Sequence, residues 1–185
     1  MSLWGNDIKP KNLTDAEKKE VYATKQGWVR EAGSVLSGNG NTSADPEVLV
    51  AIGGLSANMG SANITELEFI TTAFDKSDGG TLQVRARFNE PVTVTGTPQL
   101  TVVNDSRANH TLSYASGSTT NELVFSLTIG AANSATNAGD ELSLGANAIS
   151  LNGGTIKDTG QSGTNATITN AASIGTAAGT ITVTA

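Results

Sequence analysis

The feature that most constrains this chain is a hydrophobic rhythm of two residues, which runs from about Thr65 to the C-terminus. It is clearest at residues 81–89, where four apolar side chains alternate with polar ones: Leu82, Val84, Ala86 and Phe88. Successive side chains of a β-strand point to opposite faces, so this pattern predicts a strand with one face on a core and the other in water. On the polar face, Arg85 and Arg87 are expected to be solvent-exposed, with contact to an acidic partner as the alternative.

The same rhythm recurs at intervals of about ten residues, and clusters of Gly, Asn, Asp and Ser separate the repeats. The further predicted strands are residues 67–74, 92–95, 100–102, 112–114, 123–129, 142–144, 149–151 and 181–183. Residues 160–178 hold few bulky side chains, which indicates a long loop or a weak edge strand around residues 166–168. About seven to nine short strands with this spacing predict an antiparallel β-sandwich over residues 65–185.

Residues 1–60 differ from the rest and are predicted to form a small leading region of their own. They carry both tryptophans and six of the eleven Lys and Arg residues. Thr14 followed by Glu17 is a capping-box pattern, which predicts a short helix from Asp15 to residue 21 or 22. Residues 6–12 are expected to be extended, and residues 21–24 and 27–30 to be strands joined by a turn. Residues 48–52 are expected to be a buried strand, with a short helix as the alternative.

Charge and composition exclude several classes of function. The net charge is −6 and no basic patch is present, so we expect no nucleic-acid partner; the leading lysines are expected to line a solvated helix face. The chain has no cysteine and no apolar run of about 18 residues, which excludes a thiolate metal site and a membrane-spanning helix. Residues 1–7 lack the segments of a secretory signal, so we expect the protein to be made and kept in the cytoplasm unless assembly and lysis release it.

The sequence also lacks the combinations of residues that form catalytic or metal-binding sites. His110 is the only histidine and is expected to be an ordinary exposed side chain, so we predict no catalysis and no enzyme. Five carboxylates lie near predicted strand ends and could bind Ca²⁺ if they converged, although solvated turns are the favoured interpretation: Glu90, Asp105, Asp140, Glu141 and Asp158. We therefore predict no resident metal and no cofactor.

Partner binding is the remaining prediction for the leading region. Trp4, Tyr22 and Trp28 are three of the eight aromatic residues, and they lie in a region too short for a large core. Large amphipathic rings are frequent anchors of protein interfaces, and they also build local cores. Both interpretations stay open, and the candidate partner-binding residues are Trp4, Tyr22, Trp28, Val29 and Arg30.

Three blocks in the second part of the chain resemble the immunoglobulin-like repeats of large bacterial surface proteins. They are FNEPVTVTGTPQL at residues 88–100, YASGS followed by LVF at residues 114–125, and AISLNGGTIKD at residues 148–158. The resemblance implies an immunoglobulin-like β-sandwich that acts as a spacer or an adhesive module without catalysis.

Short blocks in residues 1–55 resemble the N-terminal regions of virion structural proteins of marine tailed phages, especially cyanophages. The blocks are SLWGN, VYAT, GWVR and EVLVAIGG, at residues 2–6, 21–24, 27–30 and 47–54. This resemblance implies a capsid decoration protein, assembled in the host cytoplasm and exposed on the particle. Its partners would be the major capsid protein or other virion subunits, copies of itself in symmetric clusters, or a host surface glycan. A tail, neck or fibre component that binds host polysaccharide, or an adhesin-type module, is the alternative.

Overall fold

The computed structural model describes residues 13–34, 36–38, 40–161 and 163–185. These residues form thirteen strands and three short helices, so the prediction of a mainly β chain is confirmed. The predicted extended segment 6–12 lies outside the described residues.

The leading region folds as one helix, a small sheet and a second short helix. Helix α1 spans Asp15–Glu20 and begins with the predicted capping box, in which Thr14 Oγ1 accepts from the Glu17 amide at 3.2 Å and the Glu17 carboxylate accepts from the Thr14 amide at 2.8 Å. Three antiparallel strands follow in the order β1-β2-β3; they are β1 Val21–Thr24, β2 Gly27–Arg30 and β3 Glu47–Ala51. Helix α2 spans Leu55–Asn58.

Ten further strands form one continuous sheet in the order β12-β6-β9-β8-β7-β10-β13-β5, with β4 also paired to β6 and β11 to β7. Their bounds are β4 Ile64–Phe69, β5 Phe74–Asp75, β6 Gly80–Thr95, β7 Gln99–Asn104, β8 His110–Ser116, β9 Thr120–Ile129, β10 Glu141–Ser143, β11 Ile149–Ser150, β12 Thr155–Asp158 and β13 Thr180–Thr184. All pairs are antiparallel except β5 with β13. The alternation predicted for β6 is present, since Leu82, Val84, Ala86 and Phe88 are all buried.

Strand β6 has an irregularity in its middle that changes its partners. Its first part pairs with β4, as far as Phe88, and with β9, as far as Arg87. The register with β9 then shifts, so that Val92 pairs with Thr120, and from Val92 onward β12 takes the place of β4 as a partner of β6. Such bulges bend a strand and re-aim its side chains. Glu90 lies inside this irregular stretch.

Two hydrophobic clusters lie on either side of residue 60. The larger cluster draws buried side chains from every strand between β4 and β13, so the ten-stranded sheet folds around one core. The smaller cluster consists of Val21, Ala23, Trp28 and Leu55, with Leu13, Leu49, Ile52 and Met59 packed against it.

Two local predictions need correction. The strand predicted at residues 48–52 is confirmed as β3, but its predicted burial is wrong, since Val48 is 51% exposed because β3 lies at the edge of the small sheet. Residues 160–178 include helix α3, Ala172–Ala177, where only a loop or an edge strand was expected. Helix α3 lacks a side-chain N-cap, so the sequence carries no start signal for it. No helix among the described residues is long and apolar enough to cross a membrane.

Candidate attachment site

The leading sheet leaves one strand edge open. Strand β3 pairs with β2 on one side and has no strand partner on the other among the described residues. Val48, the second residue of this strand, is the most exposed large hydrophobic side chain of the described part of the chain. An open edge with apolar side chains is a template for pairing with a strand of another chain.

A glycine fixes how β3 lies against β2. Gly27 has φ +138°, and a Cβ at this position would lie 2.0 Å from the Val50 carbonyl oxygen. The two strands are also out of regular register between Trp28 and Val29, so that Val29 pairs with Val48. The close approach and the irregular register together determine which side chains β3 presents at its free edge.

A shallow groove of about 460 Å³ includes Val48 in its lining, together with Thr24 and Gln26 near the turn between β1 and β2. Its apolar wall is formed by Val29, Pro46, Val48 and Ala51, and Asp45 adds a carboxylate. The groove and the open edge are adjacent, because Val48 belongs to both. A partner strand added to β3 would therefore have an apolar slot beside it for its side chains.

Two of the predicted partner-binding residues are buried inside the leading region. Trp28 is 5% exposed and belongs to the small cluster, and Val29 is 1% exposed. Trp28 therefore builds a local core, which was one of its two interpretations. Its role toward a partner stays a prediction, and Trp4 lies outside the described residues.

Tyr22 and Arg30 are half-buried and face charged neighbours. Arg30 lies 3.6 Å from Glu17 and 3.7 Å from Glu47, so it links α1 to the start of β3. Burial raises the pKa of Tyr22, and the negative charges of Glu31 and Glu122 act in the same direction. Since Glu122 belongs to β9, Tyr22 faces the large sheet.

The polar face of β6 lies under the leading region, because β1 packs against β6. Arg87 is only 8% exposed, and its guanidinium donates to Glu66 at 2.6 Å and to Glu122 at 2.5 Å. Lys19 of α1 reaches the other oxygen of Glu66 at 2.8 Å. The predicted solvent exposure of Arg87 is therefore wrong, and its acidic partners belong to the same chain.

Arg85 is held more loosely, 3.6 Å from both Glu68 and Glu122, with 29% of its side chain exposed. Burial alone would lower the pKa of Arg87, but its hydrogen bonds with Glu122 and Glu66 outweigh burial and raise it. We call Glu66, Arg85, Arg87 and Glu122 the charged network. Burial also raises the pKa of Glu31, and the nearby charge of Glu122, a member of this network, acts in the same direction.

His110 is 4% exposed, so the prediction of an exposed histidine is wrong. It begins β8, and Nε2 has no hydrogen-bond partner. Burial lowers its pKa, while nearby Asp140 acts in the opposite direction. Asp140 accepts hydrogen bonds from Ser106 Oγ at 2.5 Å and Asn104 Nδ2 at 2.9 Å, which tie the loop after β7 to the start of β10.

The loop carboxylates do not form one cluster. The described residues contain no group of three or more His, Cys, Asp or Glu side chains that could hold a metal ion. Asp105 and Glu141 are exposed, whereas Glu90, Asp140 and Asp158 are buried rather than solvated as expected. Glu90 and Asp158 lie close enough for the charge of Asp158 to raise the pKa of Glu90.

Comparison with protein-family models, with curated proteins and with solved structures finds no match for this chain. We therefore infer function from the sequence patterns and from the geometry of the leading region.

The sequence also contains a pattern of opposite charges that indicates the charged network, and hydrophobic alternation alone does not reveal it. The outward positions of β6 are basic at Arg85 and Arg87, while those of β4 are acidic at Glu66 and Glu68. Opposite charges on neighbouring strands favour pairing. This charge pattern could have predicted the pairing of β4 with β6, although not the cover provided by the leading region.

Proposed function

We propose that this chain is a virion structural protein of a tailed phage, a capsid decoration protein that docks through its leading region. Residues 65–185 would form an immunoglobulin-like β-sandwich displayed outward from the shell. The two sequence resemblances support this proposal, and ten strands around one core support a sandwich.

The observation that carries the docking proposal is the open edge of β3 beside the apolar groove. Most large hydrophobic side chains of the described residues are turned into one of the two cores, but Val48 is 51% exposed. The occupant would be a strand of a shell subunit, paired to β3 through its backbone, with a side chain in the groove. The net charge of −6 would keep crowded copies from associating non-specifically.

A substitution at the edge tests this mode of docking. Val48→Lys places a charge on the exposed edge, which is a common way to block strand pairing. The matched control is Val103→Lys on β7, because Val103 is also exposed, at 36%, but lies in the large sheet. Shells that lack the protein are incubated with each full-length variant and sedimented, and the bound fraction is measured.

We expect Val48→Lys to weaken shell binding at least tenfold, about 1.4 kcal/mol or more, and Val103→Lys to leave it unchanged. Both variants should melt within about 2 °C of the parent, since exposed positions tolerate change. Parental binding by Val48→Lys would refute docking through β3.

Copy number distinguishes the two virion roles. A decoration protein covers repeated sites of the shell and is present in hundreds of copies, whereas a tail, neck or fibre component is present in about six or twelve copies. Quantitative mass spectrometry of purified particles against the major shell protein measures this ratio. Absence of the protein from particles would refute a virion role altogether.

A further inference from the structure

The open edge of β3 is acidic where the strand begins. Asp45 and Glu47 are both exposed, and residues 31–75 contain no lysine or arginine. Arg30 lies 3.7 Å from Glu47, but Asp45 forms no ion pair with any residue of the described part of the chain. A strand that pairs with this end is therefore expected to bring a basic group, because opposite charges on neighbouring strands favour pairing.

The other end of the edge has a basic neighbour. The Gly54 amide donates to the Lys25 carbonyl at 2.8 Å, and the Ile52 amide donates to the Gln26 carbonyl at 2.9 Å. These two bonds hold the turn between β1 and β2 beside the residues that follow β3. Lys25 is exposed and forms no ion pair among the residues that the structure describes. The two ends of the edge therefore carry opposite charges.

The stretch between the two ends is apolar and consists of Val48, Leu49, Val50 and Ala51. Val48 and Ala51 are exposed, and the other two are half-buried. When a strand pairs antiparallel with a copy of itself, the middle residues of the two strands meet, and each end meets the opposite end of the copy. For β3 this pairing sets apolar side chains against apolar side chains and the acidic start near Lys25 of the copy, so no like charges face each other.

We propose that, in the free protein, a second copy of this chain covers the open edge. Strand β3 would pair antiparallel with β3 of the copy, about a two-fold axis near Leu49. Such an interface is isologous, so each chain contributes the same surface, and Asp45 and Lys25 of one chain meet Lys25 and Asp45 of the other. The two leading sheets then form one six-stranded sheet. This self-association goes beyond the proposed docking on a shell and does not depend on it.

Pairing with a copy would protect the edge before a partner uses it. An exposed apolar strand edge promotes aggregation, and native proteins cover or charge such edges. Strand β3 has only five residues, so the interface is small and the dimer is expected to be weak and reversible. A strand of the proposed shell partner would then be able to displace the copy.

Sedimentation equilibrium of the full-length protein alone, from about 1 µM to about 500 µM, tests the proposal. We expect an equilibrium between monomer and dimer. Val48→Lys should raise the dimer Kd at least tenfold, because it places a lysine of each copy against the apolar middle of the other strand. Val103→Lys, on the large sheet, should leave the Kd unchanged. Both variants should keep the parental Tm to within about 2 °C.

Charge reversal tests the arrangement of the two copies. Lys25→Glu and Asp45→Lys should each raise the dimer Kd about tenfold, because each change creates two contacts between like charges across the two-fold axis. The double variant restores opposite charges at both contacts, so its Kd should return to within about threefold of the parental value. Both positions are exposed, so the variants are expected to fold as the parent does.

A monomer at every concentration would overturn the proposal. A dimer that Val48→Lys leaves intact would overturn it as well, because the copies would then meet through another surface. A double charge variant that associates no better than the single variants would refute the antiparallel arrangement. Failure to bind shells would refute the docking proposal alone, because self-association is measured without shells.

Discussion

Replacing Arg87 by methionine tests whether the charged network holds the leading region on the large sheet. Methionine keeps the apolar stem of the side chain but removes the guanidinium with its charge and its donors. The side chain of Arg87 is 10% exposed and pairs with Glu66 at 2.6 Å and with Glu122 at 2.5 Å. The substitution therefore leaves two poorly solvated carboxylates without their shared counter-charge.

Removing one partner of a buried ion pair costs about 3–5 kcal/mol. Lys19 still contacts Glu66 at 2.8 Å, and Arg85 still lies 3.6 Å from Glu122, so part of the charge stays compensated. We therefore expect a loss of about 2–4 kcal/mol in the free energy of unfolding. In a chain of 185 residues this corresponds to a fall of about 4–16 °C in Tm.

Arg85→Met is the matched control, since Arg85 lies two residues away on the same face of β6. Its side chain is 29% exposed and its contacts are longer, 3.6 Å, so we expect a loss below about 1 kcal/mol. Urea unfolding and calorimetry measure both variants. Equal losses, or a loss below about 1 kcal/mol for Arg87→Met, would refute the reasoning. Adding Glu66→Gln and Glu122→Gln to Arg87→Met should recover most of the loss, because the two carboxylates left without Arg87 are then neutral, Lys19 is half-exposed, and Arg85 keeps its contact with Glu68.

Three further predictions concern single positions. Thr14→Ala removes the helix cap seen with Glu17 and should lower the free energy of unfolding of the leading region by about 1 kcal/mol in urea titrations, whereas Thr14→Ser should not. Gly27→Ala places a methyl group against the Val50 carbonyl and should increase protease cleavage within β3, and unchanged cleavage would contradict the close approach of the two strands. The Ser106 hydroxyl holds the pKa of Asp140 below its usual range, so the carboxylate contributes stability that is present above the unfolded-state pKa and is lost as pH falls through the folded-state pKa. Asp140→Asn should therefore lower Tm at pH 7 and flatten the decline of Tm in acid; a parallel pH profile would show that Asp140 does not contribute.

Sequence determined the local structure of this protein where a short-range rule was sufficient. The capping box at Thr14 and Glu17 fixed the start of α1, because both hydrogen bonds form within one turn. The alternation at residues 82–88 fixed which face of β6 enters the core, since the side-chain period of a strand is two. A mainly β chain followed from repeating this rule along residues 65–185.

Only the tertiary structure decided what covers the other face of β6 and which strands stay at an edge. The sequence pattern predicts that Arg87 is exposed. In the structure β1 lies over it, and Glu66 and Glu122 reach it from neighbouring strands. The sequence pattern predicts that Val48 is buried in a core, but this residue is exposed on the edge strand β3. Burial of this kind depends on which distant segment lies against a residue, and that arrangement minimises the free energy of the whole chain rather than following any local pattern.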